Sequence, residues 1–423
     1  MKKIILLVIV VLSASCTTAT AQKINRKEMK KVLLRGPALS SSGYGVHTRQ
    51  IARWLLSRPD VELTIHPTPW GITPWYLDRE ACGGLIGQMI DRSRDDKGPF
   101  DVSFQVQLPN EWTPGIAKTN IGVSAIVETT TCNPAWLGAI NSMEHVIVPS
   151  TFTRGVIEKT GIINRPDSLH VIPESFIDTL LDADSIKPSS FEFETKFNFL
   201  LVGQLTSRSV EGDRKNIFNT LKWFCETFKD NPDVGLIIKT NSGRETKIDR
   251  RVTVDTLRGV LNQVRKGPYP RVSLVHGMLT DDEMASLYQY DSIKAFLTLT
   301  RGEGYGLPIL EAAAAGLPVI ATNWSGHLDF MKFGRFIKVD FELKELPPTR
   351  IDRPGPNDAA RAIFMQGSRW AEPSEHDAKS RLLKFYERPA IPMQWAKELS
   401  PIVLDRFSHS SISKMYDELW EKL

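Results

Sequence analysis

Two glutamates stand close together in the stretch RGEGYGLPILEAAAAGLPVIATNWSGHLDF, residues 301–330. Glu303 lies in a glycine-rich turn, and Glu311 follows after seven intervening residues in an alanine-rich run. The preceding segment KAFLTLT is typical of a buried strand, and Pro308 suits the first turn of a helix that Gly316 ends. The pattern predicts a strand, a tight loop and a helix, with one carboxylate on the loop and the other on the helix.

This arrangement is suited to an anion that carries hydroxyl groups on both sides. Glycines let backbone N–H groups approach a ligand closely, and the first N–H groups of a helix are unpaired and favour negative charge. We expect a diphosphate at the helix N-terminus, with Glu311 about one turn into the helix accepting hydrogen bonds from a ribose. Glu303 is expected near the other end of the same ligand. A nucleotide sugar has its ribose, diphosphate and sugar in this order.

Length and composition indicate a soluble protein of two domains. The chain has 423 residues, which is too long for a single domain of about 150–200 residues and suits two of them. It is 41% apolar and 24% charged, as globular proteins are. The net charge of +4 is small and gives no reason to expect nucleic acid as a partner. The four cysteines are widely spaced and lack the spacing of metal ligands, so we interpret them as buried or incidental thiols.

Residues 1–28 differ from the rest of the chain. MKKIILLVIVVLSASCTTATAQ has lysines, a short apolar run and then small residues, the pattern of a signal peptide, and the apolar run is short for a membrane span. Met29 would itself be a natural start, because a strand and a glycine turn follow it. A signal peptide, an anchor and an upstream extension all remain open. We leave these residues out of the fold argument.

Beyond Met29, short apolar runs alternate with helical patterns. VLL, VELTIHP, DVSFQVQ, IGVSAIV and HVIVPS are strand candidates in a first series, and FLLV, GLIIK, RVSLVHG, AFLTLT and PVIAT are candidates in a second. Such alternation predicts two doubly wound α/β domains, with the ligand where the carboxyl ends of both sheets face one another. We place the domains at 29–190 and 191–402, followed by a terminal helix at 403–423.

The two glutamates, the glycines between them and the GLPVI segment resemble the glutamate-x7-glutamate signature of family 4 retaining glycosyltransferases, whose fold is GT-B. The resemblance extends over residues 29–423 through SSSGYGVHTRQIARWL, VIVPSTFTRGVIEKTG, VIPESF, FLLVGQL with DRKN, a late loop at WAEPS, and RFSHSSISKMYDELW. It implies two Rossmann-like domains across a cleft: an acceptor-side domain, a nucleotide-sugar-binding domain, and a terminal helix that crosses back to the first.

The resemblance also assigns roles to residues. Glu311 would hold the ribose, the backbone of Gly306 and Leu307 the diphosphate, and Glu303 the donor sugar. Lys215, with Arg214 or Arg208, would neutralise the leaving diphosphate. The complete predicted set is Glu303, Lys215, Arg214 and Glu128 for catalysis, and Gly43, Gly45, Gly203, Arg208, Gly304, Tyr305, Gly306, Leu307, Pro308 and Glu311 for donor binding.

Two positions depart from the family pattern. Gln204 follows Gly203 where the family often has an arginine, which leaves open the arginine that meets phosphate. Glu128 stands where many members have a histidine, and it either faces the acceptor or the reacting sugar or is a plain loop carboxylate. Acceptor contacts are expected in first-domain loops, where Trp70 and Trp75 either stack on a sugar or pack.

The predicted activity is transfer of a sugar from a nucleotide-diphosphate sugar to a hydroxyl of a glycan, a lipid-linked acceptor or a small molecule, with retention. No cofactor and no metal are expected, because fixed cations would stabilise the leaving diphosphate. Asp182-Ala183-Asp184 has the Asp-x-Asp pattern that binds metal in the other large glycosyltransferase fold, but it lies in a polar loop rather than at a strand end. The expected location is the cytoplasm, with peripheral membrane association through residues 1–28 left open. Alternatives are an exported two-lobed sugar-binding protein and a GT-B epimerase or phosphorylase.

Overall fold

Two large sheets form the framework, and the computed structural model describes residues 29–94, 98–187, 190–205, 207, 209–240, 243–352 and 359–423. The predicted extension at 1–28 lies outside the described residues. The strands are β1 (Lys30–Gly36), β2 (Val61–Pro67), β3 (Phe100–Val106), β4 (Ala117–Val123), β5 (His145–Val148), β6 (Leu169–Val171), β7 (Phe197–Val202), β8 (Val234–Thr240), β9 (Arg271–His276), β10 (Ile293–Thr298), β11 (Val319–Thr322), β12 (Ile337–Val339), β13 (Phe341–Glu345) and β14 (Arg369–Pro373). The α-helices are α1 (Gly43–Leu56), α2 (Leu85–Asp91), α3 (Trp136–Ser142), α4 (Thr151–Thr160), α5 (Ile217–Thr227), α6 (Lys247–Val264), α7 (Asp281–Tyr288), α8 (Leu307–Ala314), α9 (Leu328–Met331), α10 (Glu375–Glu387), α11 (Ala390–Arg406) and α12 (His409–Trp420).

Both large sheets are parallel and six-stranded, which confirms the predicted α/β class. The strand orders are β2-β1-β3-β4-β5-β6 and β12-β11-β10-β7-β8-β9. The central strands have continuous apolar runs, such as Val32 to Leu34, because helices cover both faces of a parallel sheet. In each sheet, successive strands are added first towards one edge and then towards the other. The switch lies between β1 and β3 in the first sheet and between β10 and β7 in the second. Ligands of such sheets bind at the carboxyl ends beside this switch.

The last helix packs on the first domain although the helices before it belong to the second. The indole Nε1 of Trp54 on α1 donates to Asp417 on α12 over 2.9 Å, and His47 and Tyr416 form a hydrogen bond of 3.0 Å between the same helices. Trp420 is 2% exposed, and its ring centroid lies 5.7 Å from that of Trp54. The terminal segment therefore crosses back as the resemblance implied, and it comprises the end of α11 together with α12.

A small antiparallel sheet of β13 and β14 was not foreseen. The WAEPS segment, predicted as a loop, forms most of β14. The segment between these strands contacts the first domain, because Asn133 Nδ2 donates to the carbonyls of Ala359 and Ala362 at 2.8 Å each. The N–H of Thr130 also donates to the carbonyl of Arg369 over 2.8 Å. This sheet consequently links the two domains beside the loop that carries Glu128.

Two further predictions concern the thiols and the membrane. Of the cysteines that the structure describes, Cys132 and Cys225 are buried, Cys82 is exposed, and all three are free. Among the helices described, none combines the length and the apolar character needed to cross a membrane.

Truncating Trp420 tests the attachment of the terminal helix. Replacing a buried tryptophan by alanine removes its packing and leaves a cavity, so Trp420→Ala should lower the free energy of unfolding by about 3–5 kcal/mol. Urea unfolding monitored by circular dichroism measures this. Glu418→Ala, at an exposed position on the same helix, should change stability by less than about 0.5 kcal/mol. Unfolding of Trp420→Ala at the wild-type urea concentration would contradict the packing of α12 on α1.

Candidate functional site

A cleft of about 700 Å³ lies between the carboxyl ends of the two large sheets. The first domain contributes the start of α1, the loop after β2, and the loops after β4 and β6. The second domain contributes the ends of β7 and β8, the loop before α5, the loop after β9, and the start of α8. The cleft is therefore where the doubly wound topology predicts a ligand.

The glycine-rich loop ends at the N-terminus of α8, as predicted. Gly306 has a φ of 101°, in the left-handed region, where a side chain would be strained. Within the described residues, the N–H groups of Gly306 and Leu307 donate to no protein acceptor, and both residues line the cleft. Unpaired N–H groups at a helix start attract anions. The loop thus presents an anion site to the cleft.

The first domain holds this loop in place. Ser150 Oγ and Thr153 Oγ1 donate to the carbonyl of Gly304 over 2.6 and 3.1 Å. The Tyr305 hydroxyl donates to the carbonyl of Glu174 over 2.8 Å. These bonds cross between the domains, so the position of the anion site depends on both of them.

Glu303 is the centre of a buried ion-pair cluster. Lys215 Nζ lies 2.7 and 2.8 Å from its two carboxylate oxygens, and Arg214 Nη1 lies 3.4 Å from one of them. Arg214 Nη2 also lies 3.2 Å from Glu128 on the first domain. Burial alone would raise the pKa of Glu303, but Lys215 and Arg214 outweigh it and lower the pKa to about 2. Glu303 is therefore ionised at neutral pH, with two cations beside it.

The DRKN segment orients these two cations. Asp213 is fully buried, and its Oδ2 accepts from the N–H of Ile217 at the start of α5 over 2.6 Å. The N–H of Arg301 donates to the carbonyl of Arg214 over 2.8 Å. This backbone is thus tied to α5 on one side and to the loop after β10 on the other. Arg214 and Lys215 consequently point into the cleft instead of into solvent.

Glu311 lies further along the cleft on α8. The Tyr288 hydroxyl donates to its Oε2 over 2.8 Å, and burial raises the pKa of Glu311 to about 7. Glu174, which is 5% exposed, faces it from the first domain, and burial together with Glu311 raises the pKa of Glu174 to about 8. Glu311 is therefore positioned to accept hydrogen bonds from hydroxyl groups. The charge of its own carboxyl group changes near neutral pH.

The first-domain wall is aromatic and glycine-rich. The rings of Tyr44 and Trp70 stack with centroids 3.8 Å apart, and both residues line the cleft. Gly43 lines the cleft, with no atom within 4 Å of the position of a Cβ. Gly45 lies behind the wall, where a Cβ would be 2.0 Å from the carbonyl of Ser40. Trp75 is 41% exposed and does not line the cleft.

The structure brings most of the predicted site together. The predicted residues that line the cleft are Gly43, Glu128, Gly203, Arg214, Lys215, Glu303, Gly304, Tyr305, Gly306, Leu307, Pro308 and Glu311, together with Gln204. Arg208 lies outside the described residues. Asp182 and Asp184 are exposed, and no group of three or more His, Cys, Asp or Glu is arranged to hold a metal ion in the part of the chain that the structure describes.

The sequence analysis assigned no role to several charged residues of the cleft, among them Glu174, Lys239 and Glu245. Lys239 follows the apolar run GLII near the carboxyl end of β8, a position at which the topology predicts ligand contacts. Glu174 follows β6 in the same way. No local sequence signal marks Glu245.

One family model matches part of the second domain. Residues 262–336, which contain both motif glutamates, match the model of a family described as Glycosyl transferases group 1. No curated protein sequence matches the chain. The family match confirms the predicted resemblance to this group.

Solved structures share the whole architecture at low sequence identity. Anabaena HepE in complex with UDP and glucose is 14% identical with a TM-score of 0.58, over 93% of this chain and 100% of that one. Sucrose-phosphate synthase from Thermosynechococcus elongatus is 14% identical with a TM-score of 0.60, over 93% and 98%. The α,α-trehalose 6-phosphate synthase from Burkholderia multivorans is 9% identical with a TM-score of 0.58, over 93% and 97%. The fold is therefore GT-B, as predicted.

Proposed function

We propose that the protein transfers a sugar from a nucleotide-diphosphate sugar to an acceptor hydroxyl, with retention of the anomeric configuration. One observation carries this proposal: Lys215 and Arg214 meet Glu303 beside the unpaired N–H groups that begin α8, and Glu311 lies on the same helix. Cations, an anion site and two separated carboxylates are the groups that a nucleotide sugar requires. The match to glycosyl transferases group 1 supports the same reaction.

The donor lies along the second domain. Its diphosphate accepts hydrogen bonds from the N–H groups of Gly306 and Leu307, and Glu311 accepts from the ribose. The transferred sugar reaches Glu303 at the end where Lys215 and Arg214 stand. Lys215 pairs with Glu303, and the diphosphate becomes a second partner for this cation when the donor binds.

The reaction is a front-side displacement. The bond between the anomeric carbon and the diphosphate oxygen breaks, and negative charge develops on the departing oxygen. Lys215, Arg214 and the start of α8 stabilise this charge in a site that is already oriented. The acceptor hydroxyl forms the new bond on the same face of the sugar, and its proton passes to the departing phosphate oxygen. No separate carboxylate base is required.

The remaining predictions form part of this proposal. Two cations fixed beside Glu303 supply the positive charge that a metal ion would otherwise give, so we propose catalysis without a metal. The stacked Tyr44 and Trp70 offer an aromatic face to an acceptor sugar, whether that belongs to a glycan, a lipid-linked acceptor or a small molecule. We place the catalytic body in the cytoplasm, where nucleotide sugars are made, either tethered through residues 1–28 or synthesised from Met29.

A donor screen tests the proposal. Purified protein is incubated with a panel of nucleotide sugars and acceptor sugars, release of nucleoside diphosphate is measured, and the product is identified by mass and its anomeric configuration by NMR. Transfer with retention is the expected result. Thermal stabilisation by free sugars with no response to nucleoside diphosphates would favour a sugar-binding protein instead. Inversion of the anomeric centre would contradict the front-side mechanism.

Donor affinity should depend on pH through Glu311. Ribose hydroxyls donate to a carboxylate, so the donor prefers the ionised form of Glu311, whose pKa burial raises to about 7. Affinity should therefore rise from about pH 6 to pH 8 and then level off. Calorimetry with a nucleotide sugar measures this, because its diphosphate diester does not titrate in that range.

Two variants assign the pH effect. Glu311→Gln removes the titrating group and should give weak affinity that is independent of pH. Glu174→Gln removes the neighbouring buried carboxyl, and the rise with pH should remain. A rise that disappears in Glu174→Gln and survives in Glu311→Gln would contradict the assignment.

A further inference from the structure

Three residues at the end of the cleft remote from Glu303 have no role in the transfer described above. Lys239 is near the carboxyl end of β8, Glu245 lies between β8 and α6, and Met278 follows β9. All three line the cleft. Glu303 follows β10, and the sheet order β10, β7, β8, β9 puts the carboxyl ends of β8 and β9 two and three strands away from that of β10. The ribose carboxylate Glu311 acts on the charge of Lys239, so we place the base of the nucleotide beside these residues.

The loop before α6 holds Glu245 in a fixed orientation. Glu245 has a φ of 68°, a left-handed conformation that costs energy for a residue with a side chain. Asp249 Oδ2 accepts from the N–H groups of Arg244 and Thr246 over 3.0 and 2.9 Å, which fastens the loop on both sides of Glu245. The N–H of Met278 donates to the Glu245 carboxylate. A strained residue held from several directions indicates a functional orientation.

Lys239 supplies a cation to the part of the cleft that Glu245 and Glu311 also line. Burial lowers the pKa of Lys239, and the charges of Glu245 and Glu311 oppose this. A buried ammonium group requires acceptors, and both carboxylates are near enough to act on its charge. This part of the cleft therefore offers a ligand one donor group and one further carboxylate beyond that of Glu311.

We propose that Glu245 and Lys239 select guanine, so that the donor is a GDP-sugar; this rests on the proposed function. Guanine carries two adjacent donors, N1–H and the 2-amino group, which match the two oxygens of a carboxylate, and its O6 accepts from an ammonium group. Uracil has a single N–H between two carbonyls, so one carboxylate oxygen would face a carbonyl. Adenine has one amino donor beside the bare N1, which gives the second oxygen no donor.

Calorimetry on the full chain tests this with GDP, UDP, ADP, IDP and XDP. GDP should bind about ten- to a hundredfold more tightly than UDP or ADP, because uracil and adenine cannot form both hydrogen bonds to the Glu245 carboxylate. IDP lacks the 2-amino group and should bind about tenfold more weakly than GDP. XDP carries a carbonyl in place of that amino group and should bind more weakly still.

The variant Glu245→Gln separates base selection from a structural role. Its amide oxygen still accepts from N1–H, while its amide nitrogen now faces the 2-position. The variant should therefore bind XDP more tightly than GDP, the reverse of the wild type. Glu387→Gln, an exposed position on the same domain with the same change of charge, should keep the wild-type order. A merely structural Glu245 would weaken all five ligands equally.

The outcomes distinguish this inference from the proposed function. UDP or ADP binding as tightly as GDP, or Glu245→Gln weakening every ligand alike, would overturn guanine selection. If that binding still required Glu311, the proposed glycosyl transfer would stand. Failure of all five nucleotides to bind would overturn both.

Discussion

Replacing Lys215 by alanine is expected to lower kcat by about two to three orders of magnitude, which is the usual effect of removing one group that stabilises charge developing in a transition state. Lys215 contacts both carboxylate oxygens of Glu303 in a site that is shielded from water. A cation there stabilises the departing diphosphate far better than it would in solvent. Initial rates of nucleoside diphosphate release at saturating donor and acceptor measure the effect.

Two controls accompany Lys215→Ala. Lys215→Arg keeps the positive charge and should recover part of the lost kcat. Lys222→Ala removes an exposed lysine on α5 and should leave kcat unchanged. We expect Lys215→Ala to fold, because Arg214 remains 3.4 Å from Glu303 and still compensates its charge. Circular dichroism checks that each variant is folded. Wild-type kcat in folded Lys215→Ala would refute the role of this lysine in leaving-group stabilisation.

The two glutamates of the motif should fail in different ways. Glu311→Ala removes charge-assisted hydrogen bonds to the ribose, each worth about 1.5–3 kcal/mol, so donor and free nucleoside diphosphate should both bind about ten- to a hundredfold more weakly. Glu303→Ala should lower kcat about ten- to a hundredfold. Free nucleoside diphosphate should bind to this variant as tightly as to the wild type, or more tightly. The reason is the ion pair between Lys215 and Glu303, because without Glu303 the ammonium group of Lys215 is free for the diphosphate.

Calorimetry with nucleoside diphosphate and steady-state kinetics distinguish these effects. Glu303→Gln serves as the matched control for shape, because it removes the charge and keeps the size of the side chain. Equal loss of nucleotide affinity in Glu303→Ala and Glu311→Ala would refute the division of roles. So would full turnover in Glu303→Ala.

Several residues were predictable because their conformation depends on near neighbours in the chain. The helix that begins at Leu307 follows from Pro308 in its first turn and from the left-handed Gly306 before it. Thr280 and Glu283 have the spacing of a capping box, and the Thr280 hydroxyl accepts from the N–H of Glu283 over 3.2 Å. These features are set by sterics and by hydrogen bonds that span a few residues.

Other features of the site depend on segments far apart in the chain. Glu128 was either a contact to sugar or a plain loop carboxylate from sequence, and its ion pair with Arg214 joins the two domains. Glu245 gave no local signal, because its place in the cleft follows from the β8–α6 loop and from Met278 beyond α6. The small antiparallel sheet of β13 and β14 was missed for the same reason, because Asn133 of the first domain holds the segment between these strands.

The sequence by itself determined the alternation of strands and helices, the two parallel sheets and the glycine-rich turn that carries Glu303 and Glu311, since periodicity and backbone sterics act locally. Only the tertiary structure decided the charge state of these glutamates. Burial raises the pKa of Glu311 to about 7, whereas Lys215 and Arg214 overcome the same burial and lower the pKa of Glu303 to about 2. Desolvation and charge pairing depend on which groups meet in three dimensions, and the spacing of residues in one dimension does not contain that information.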